Sequence, residues 1–119
     1  MQVIERSKPD GSRLEQVEGR AFGSGVSIIF VSTDRPGAGP YLHEHPYSET
    51  FVIHRGRAQF TVGDREFVGT GGQVLVVPAY TPHKFSVLGG GVFESTNIHA
   101  SDTFVTTWLE GPQADPLAI

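Results

Sequence analysis

The sequence contains no cysteine and only one methionine and one tryptophan among its 119 residues. Without cysteine, neither a disulfide framework nor a thiolate metal site can form. Charged residues make up 18% of the chain, and the nine lysines and arginines are scattered rather than grouped into a basic stripe. Because nucleic-acid binding depends on neutralising phosphates with clustered positive charge, we expect no nucleic-acid partner.

Long hydrophobic runs are also missing. The longest apolar stretches, such as Val74–Pro78, are far shorter than the roughly 20 residues that a membrane helix needs. The N-terminal region shows no charged segment followed by an apolar one, so no signal peptide is predicted. We therefore expect a cytoplasmic protein with no membrane partner.

Turn-forming residues, in contrast, are abundant: the chain has 15 glycines and 8 prolines. Frequent turns between short alternating stretches favour strands over long helices. No segment shows a convincing helical period, and about ten short strands are predicted. The predicted strands are Val3–Arg6, Leu14–Val17, Val26–Ser32, Tyr41–His45, Glu49–His54, Ala58–Val62, Arg65–Val68, Gln73–Val77, His83–Val87, Val92–His99 and Thr103–Leu109. Such a pattern in one small domain predicts an all-β sandwich, jelly roll or closed barrel over residues 1–110, with a loose tail at 111–119.

Three histidines and one glutamate form a candidate metal site. His43 and His45 lie two residues apart on a predicted strand, so their side chains share a face. Glu49 opens the next strand and can turn its carboxylate toward the same point, and His83 would add a third nitrogen from a neighbouring strand. Nitrogen and oxygen ligands suit one divalent ion of Fe, Mn, Ni, Co or Zn, and the sequence does not choose among these metals.

Two segments resemble the conserved motifs of the cupin superfamily. Gly37–Gly56, GAGPYLHEHPYSETFVIHRG, resembles the first motif, in which a His-x-His pair and a glutamate lie between two glycines. Gly72–Val87, GQVLVVPAYTPHKFSV, resembles the second motif, which contributes a further histidine. Tyr80 replaces a glycine of that motif and Val87 an asparagine, and the first change affects the expected loop and pocket shape. The resemblance implies a double-stranded β-helix, or jelly-roll barrel, with a metal-binding core at residues 37–88.

Several side chains are predicted to surround the metal. The candidates for the pocket lining are Tyr41, Tyr47, Phe51, Tyr80, Phe85 and His99. The phenylalanines are better explained as barrel core, whereas the tyrosines suit a pocket mouth. His99 either reaches the pocket as a supporting or acid–base group, with Asn97 beside it, or merely closes its strand, and we favour the second interpretation. His54 has the opposite parity to Glu49 and is predicted to face away.

The resemblance leaves two functions open. In the first, the protein is a metal-dependent enzyme for a small organic substrate, either of the dioxygenase type or of the isomerase or lyase type. Glu49 then serves as a ligand and as a base. In the second, it is a non-catalytic module that holds a small ligand or a metal. Predicted outward positions for Leu42, Val52 and Trp108 indicate a homodimer, with the N-terminal strand pairing across the interface.

Overall fold

A computed structural model describes residues 1–111 of the chain, which form two five-stranded antiparallel sheets. The first sheet has the order β1-β2-β9-β4-β7 and the second the order β10-β3-β8-β5-β6. The strands are β1 (Gln16–Val17), β2 (Ser27–Thr33), β3 (His43–Glu44), β4 (Glu49–Arg55), β5 (Arg57–Val62), β6 (Arg65–Thr70), β7 (Val74–Val77), β8 (His83–Val87), β9 (Phe93–His99) and β10 (Thr107–Trp108). The predicted all-β jelly roll is therefore confirmed.

The core lies between the sheets because inward and outward residues alternate along each central strand. In β9 every second residue, from Phe93 to His99, is buried. The core cluster comprises Ile29, Val31, Ala38, Phe51, Ile53, Ala58, Phe60, Val77, Phe85, Val87 and Phe93. The ring of Phe51 lies 5.2 Å from that of Phe60 and 6.0 Å from that of Phe85. Phe51 and Phe85 are thus core residues, which is the interpretation that the sequence favoured for them.

The N-terminal segment differs from its prediction. Val3–Arg6 is not a strand, and the segment makes only an isolated bridge between Ser7 and Arg13. The turn at Asp10 folds the chain back, and the Arg6 guanidinium packs 3.6 Å above the ring of Phe30. This cation–π contact covers an outward-facing aromatic side chain of β2 and outweighs the local preference for an extended strand.

Two local features lie outside the strands: a 3₁₀ turn that the sequence did not indicate, and the loop at Tyr80, which the replaced glycine was expected to affect. A single 3₁₀ turn, Gly19–Phe22, ends at Gly23 with a left-handed φ of 73°. A four-residue turn leaves no periodic signal in a sequence. Tyr80 adopts a φ of 59°, a conformation that costs a side-chain-bearing residue about 1–2 kcal/mol. This positive φ is the backbone conformation that a glycine would favour. The N–H of Tyr80 donates to the carbonyl of His45 at 2.7 Å and helps to hold the loop in this conformation.

No helix in residues 1–111 is both long enough and apolar enough to cross a membrane. The predicted C-terminal tail falls, apart from Gly111, outside the part of the chain that the structure describes. The domain boundary at residue 110 and the cytoplasmic location therefore stay predictions.

Candidate metal centre

Strand pairing gathers the candidate ligands at one end of the barrel. His43 pairs with His83 between β3 and β8, and Glu49 opens β4 beside them. One ligand atom from each of His43, His45, Glu49 and His83 lies within 4.8 Å of the others. All four residues are only 1–2% exposed. The structure thus brings together side chains that lie up to 40 positions apart, from His43 to His83.

Backbone carbonyls fix the orientation of the three imidazoles. The Nδ1 atom of His43 lies 2.7 Å from the Tyr41 carbonyl oxygen. The Nδ1 atom of His45 lies 2.8 Å from the Val105 carbonyl oxygen, and that of His83 lies 2.8 Å from the Thr81 carbonyl oxygen. A carbonyl oxygen only accepts hydrogen bonds, so each Nδ1 carries the proton of the neutral ring. Each Nε2 therefore has a free lone pair, which is the state that a metal ligand requires.

The Glu49 carboxylate lies among these lone pairs. Its Oε1 is 3.1 Å from Nε2 of His45 and 3.1 Å from Nε2 of His83. A neutral ring whose Nδ1 donates to a carbonyl has no second proton for the carboxylate. Within residues 1–111, Nε2 of His43, Nε2 of His45 and Oε2 of Glu49 have no hydrogen-bond partner. Buried acceptors without a donor are costly, and a cation among them would satisfy all of them. The four residues therefore fit a divalent metal ion.

The protonation states also suit metal binding. Burial, with the neighbouring His83, lowers the pKa of His43 to about 4, so this ring is neutral near pH 7. Burial alone would raise the pKa of the Glu49 carboxyl, but hydrogen bonds from His45, His83 and His99 hold it well below its ordinary value when their Nε2 atoms carry protons, and a cation among these atoms would act in the same direction. Neutral imidazole and ionised carboxylate are the forms that ligate metals.

A family comparison agrees with this arrangement. Residues 30–99, more than half of the chain, match the family model of the cupin domain. The chain belongs to the cupin family. The matched region of this cupin includes the four clustered residues and both segments that resemble the superfamily motifs. A comparison with curated proteins gave no match.

Solved structures with the same fold include enzymes. A double-stranded β-helix protein of unknown function from Klebsiella pneumoniae subsp. pneumoniae MGH 78578 superposes with a TM-score of 0.65 at 17% identity, covering 73% of this cupin and 72% of that chain. Bacillus subtilis oxalate decarboxylase, studied for its Mn(II) centres, gives 0.70 at 24% identity, covering 79% and 27%. Oxalate oxidase bound to the substrate analogue glycolate gives 0.69 at 18% identity, covering 91% and 60%. These identities show a shared fold, and this cupin spans only about a quarter of the decarboxylase.

His99 lies beside the cluster of this cupin, so it does more than close its strand. It is fully buried, and its Nε2 lies 3.2 Å from Oε2 of Glu49. Its Nδ1 lies 2.7 Å from the hydroxyl of Tyr47, whose ring stacks on His45 at 5.0 Å. Tyr47 is therefore buried against the cluster rather than placed at an open pocket mouth. The alternation of β9 could have indicated that the His99 side chain faces inward. Its contact with Glu49 follows only from the pairing of β9 with β4, in which the two residues lie opposite each other.

A short stretch, residues 104–108, covers the cluster and is here called the closing segment. The ring of Phe104 meets that of His99 at 5.1 Å, and the ring of Trp108 lies 5.1 Å from that of His43. The predicted outward position of Trp108 is therefore wrong. Only Thr107–Trp108 pairs with β3, where Trp108 lies opposite His43, so parity counted along a longer predicted strand does not hold.

Two predicted pocket residues have exposed side chains. Tyr41 is 39% exposed and lines a groove of about 440 Å³ with Lys84 and Glu110, on the outer side of the second sheet. Tyr80 is 68% exposed. Exposed tyrosines are compatible with a pocket mouth, so the places of Tyr41 and Tyr80 at the pocket stay predictions. His54 is exposed and hydrogen-bonds Thr96, in agreement with its predicted parity.

Proposed function

We propose that this cupin binds one divalent first-row transition metal ion through His43, His45, Glu49 and His83. The observation that carries the proposal is the approach of one ligand atom from each of these four residues to within 4.8 Å of the others, with the Nδ1 of every histidine beside a backbone carbonyl. A set of three nitrogens and one oxygen suits Mn, Fe, Co, Ni or Zn. The Mn(II) centres named for the oxalate decarboxylase neighbour support manganese as one member of this group.

The proposed activity is chemistry on a small organic substrate that carries a carboxylate or a carbonyl group. A bound metal would polarise such a group and, if redox-active, would also support reaction with O₂. The chain offers Glu49 as the candidate base beside the reacting atoms. Neighbours that act on oxalate, or bind glycolate, support small carboxylates as the substrate class. Both the dioxygenase type and the isomerase or lyase type belong to this proposal.

A buried amide supports a polar substrate. Asn97 faces the barrel interior, one inward position before His99 on β9, and is 0% exposed. Its Oδ1 accepts a hydrogen bond from Ser95 at 2.8 Å, whereas its Nδ2 has no partner within residues 1–111. An unpaired buried donor is costly, and a substrate oxygen would satisfy it.

Turnover assays will test the activity. Protein loaded separately with Mn(II), Fe(II), Co(II) or Zn(II) is incubated with oxalate, glycolate and small diketones, while an oxygen electrode and NMR follow O₂ and products. We expect turnover with at least one metal, and a loss of at least about 100-fold in Glu49→Gln, because that change removes both a charged ligand and the base. His54→Gln, at an exposed histidine, should keep the wild-type rate. Equal rates in Glu49→Gln and wild type would contradict the proposal.

Enclosure of the cluster favours a second candidate, a non-catalytic metal-binding module. Every proposed ligand is at most 2% exposed, and the closing segment lies over the rings of His43 and His99. A catalytic metal keeps an open coordination position, whereas a structural metal does not. If turnover is absent and added azide leaves the visible spectrum of the Co(II) form unchanged, this second function replaces the first.

We also propose that the protein is a homodimer. The outer face of the first sheet exposes Val74 and Val76, at 58% and 63%, on β7, which is an edge strand. Exposed apolar side chains on an unpaired edge favour association. Residues 3–6 form no strand and Arg6 packs on Phe30, so the proposal places the contact at β7 instead of at the N-terminal segment.

Light scattering at micromolar concentration should give about twice the chain mass of 12.9 kDa. Val76→Lys should give the monomer because it places a charge within the apolar edge. Val68→Lys, at an exposed valine of the other sheet, should leave the dimer intact. A monomeric wild-type protein would refute this part of the proposal.

A further inference from the structure

We infer that Tyr47 and His99 are positioning residues that hold the outer oxygen of Glu49, while backbone groups of Val105 set opposite tautomers in His45 and His99. The inference rests on the proposed metal site and adds a function for two residues outside the ligand set. It follows from the direction of successive hydrogen bonds.

The direction is fixed at Val105. Its N–H can only donate, and it lies 3.2 Å from the hydroxyl oxygen of Tyr47. Within residues 1–111 the only acceptor for the Tyr47 hydroxyl proton is Nδ1 of His99, at 2.7 Å. Nδ1 of His99 is then the acceptor, so the proton of the neutral ring is on Nε2.

The same residue has the opposite effect on His45. The Val105 carbonyl accepts from Nδ1 of His45 at 2.8 Å, which leaves Nε2 of that ring without a proton. The two rings lie only 4.7 Å apart, yet one presents a lone pair and the other an N–H. Contacts with Val105 thus leave His45 able to bind a metal and make His99 a hydrogen-bond donor.

The donor of His99 faces the side of Glu49 that the other histidines leave free. Oε1 lies 3.1 Å from the Nε2 atoms of His45 and His83, whereas Oε2 lies 3.2 Å from Nε2 of His99. The two atoms approach without forming a hydrogen bond, and within residues 1–111 neither of them has any hydrogen-bond partner. In the inferred arrangement, a small rotation of the carboxylate brings Oε2 into line with the N–H of His99, and both unpaired atoms are then satisfied. With Oε2 held in this way, Glu49 presents Oε1 alone to the metal.

Loss of a group that orients a ligand commonly weakens metal binding by about 10–100-fold. We therefore expect His99→Leu to bind Co(II) about 10–100-fold more weakly than wild type, as measured by competition with a chelator. The visible ligand-field spectrum should also change, because Oε2 is released to approach the ion. His99→Gln keeps an N–H donor and should recover most of the affinity and the wild-type spectrum. Tyr47→Phe should change affinity and spectrum in the same direction as His99→Leu, since the tautomer of His99 is no longer fixed.

Matched controls make the same chemical changes away from the cluster. His54→Leu removes an exposed imidazole, and Thr61→Val removes a hydroxyl that donates to Glu66, and both should retain the wild-type affinity and spectrum. Circular dichroism reports folding. If His99→Leu does not fold, the Co(II) affinity and spectrum of Tyr47→Phe test the inference, because this variant loses only one oxygen atom.

Wild-type affinity and spectra in both His99→Leu and Tyr47→Phe would overturn this inference and leave the metal site standing. X-ray absorption of the Co(II) form that showed four imidazoles on the ion would also overturn it, because His99 would then be a ligand. A wild-type protein that takes up no Co(II) would overturn the proposed metal site and this inference together.

Discussion

Replacing His83 with glutamine will lower the metal content of the purified protein from about one equivalent to near zero. His83 supplies one of the three Nε2 lone pairs and brings it from a separate strand, so the remaining ligands cannot close the set. The loss of affinity should exceed the roughly 10–100-fold typical of residues that only orient a ligand. Elemental analysis by mass spectrometry after gentle purification measures the result.

Thermal unfolding provides a second measurement on the same variant. An ion that binds only the folded state stabilises it by about 2.7 kcal/mol when its concentration is 100 times the dissociation constant. Added metal should therefore raise the melting temperature of wild type and of His54→Gln, but not that of His83→Gln. Undiminished metal in His83→Gln, or none in wild type with no uptake on addition, would refute the ligand assignment.

The parts of the site that the sequence predicted are those that local spacing determines. His43 and His45 lie two residues apart, so any strand places them on one face, and the motif spacing added Glu49 and His83. The core positions of Phe51 and Phe85 follow from the same alternation. The shared face of His43 and His45 and the core positions of the phenylalanines depend only on strand geometry within a few residues. The place of His83 came instead from the resemblance to the second cupin motif.

The parts that the sequence did not predict depend on pairing between distant strands. His99 meets Glu49 because β9 pairs with β4 in one particular register, and no local pattern specifies that register. Tyr47 is buried because Val105, 58 residues later, approaches its hydroxyl. Trp108 was assigned to the outer face by counting alternation from the start of a predicted strand at Thr103. The actual strand begins only at Thr107, so that count does not apply. Long-range contacts of this kind set the surroundings of the ligands.

The closing segment connects these observations. It provides the carbonyl that orients His45, the N–H that orients Tyr47 and the rings that cover His43 and His99. It lies beyond residues 30–99, the region that matches the family model. The general cupin framework thus supplies the candidate ligands, and a neighbouring stretch of this particular chain determines how enclosed they are.

Acid will destabilise the metal-free protein by about 3 kcal/mol between pH 7 and pH 4. Burial lowers the pKa of folded His43 from 6.5 to about 4, so the unfolded chain binds more protons than the folded one in this interval. Stability is therefore fully present above pH 6.5 and is lost as the pH falls toward 4. The difference of about 2.5 pKa units, at 1.36 kcal/mol each, gives the magnitude. The lowered pKa of Glu49 acts in the same direction below its ordinary value of 4.5.

Urea unfolding at several pH values, with a chelator present, measures this loss. His43→Leu should lose about one proton of pH dependence between pH 6.5 and 4, whereas His54→Gln should keep the wild-type slope. A free energy of unfolding that stays constant or rises over this interval would contradict the neutral, buried state of His43. Metal binding requires the same neutral ring. The metal-loaded protein should therefore be more stable than the metal-free protein at pH 7. It should also lose more stability on acidification, because protons then compete with the ion for His43.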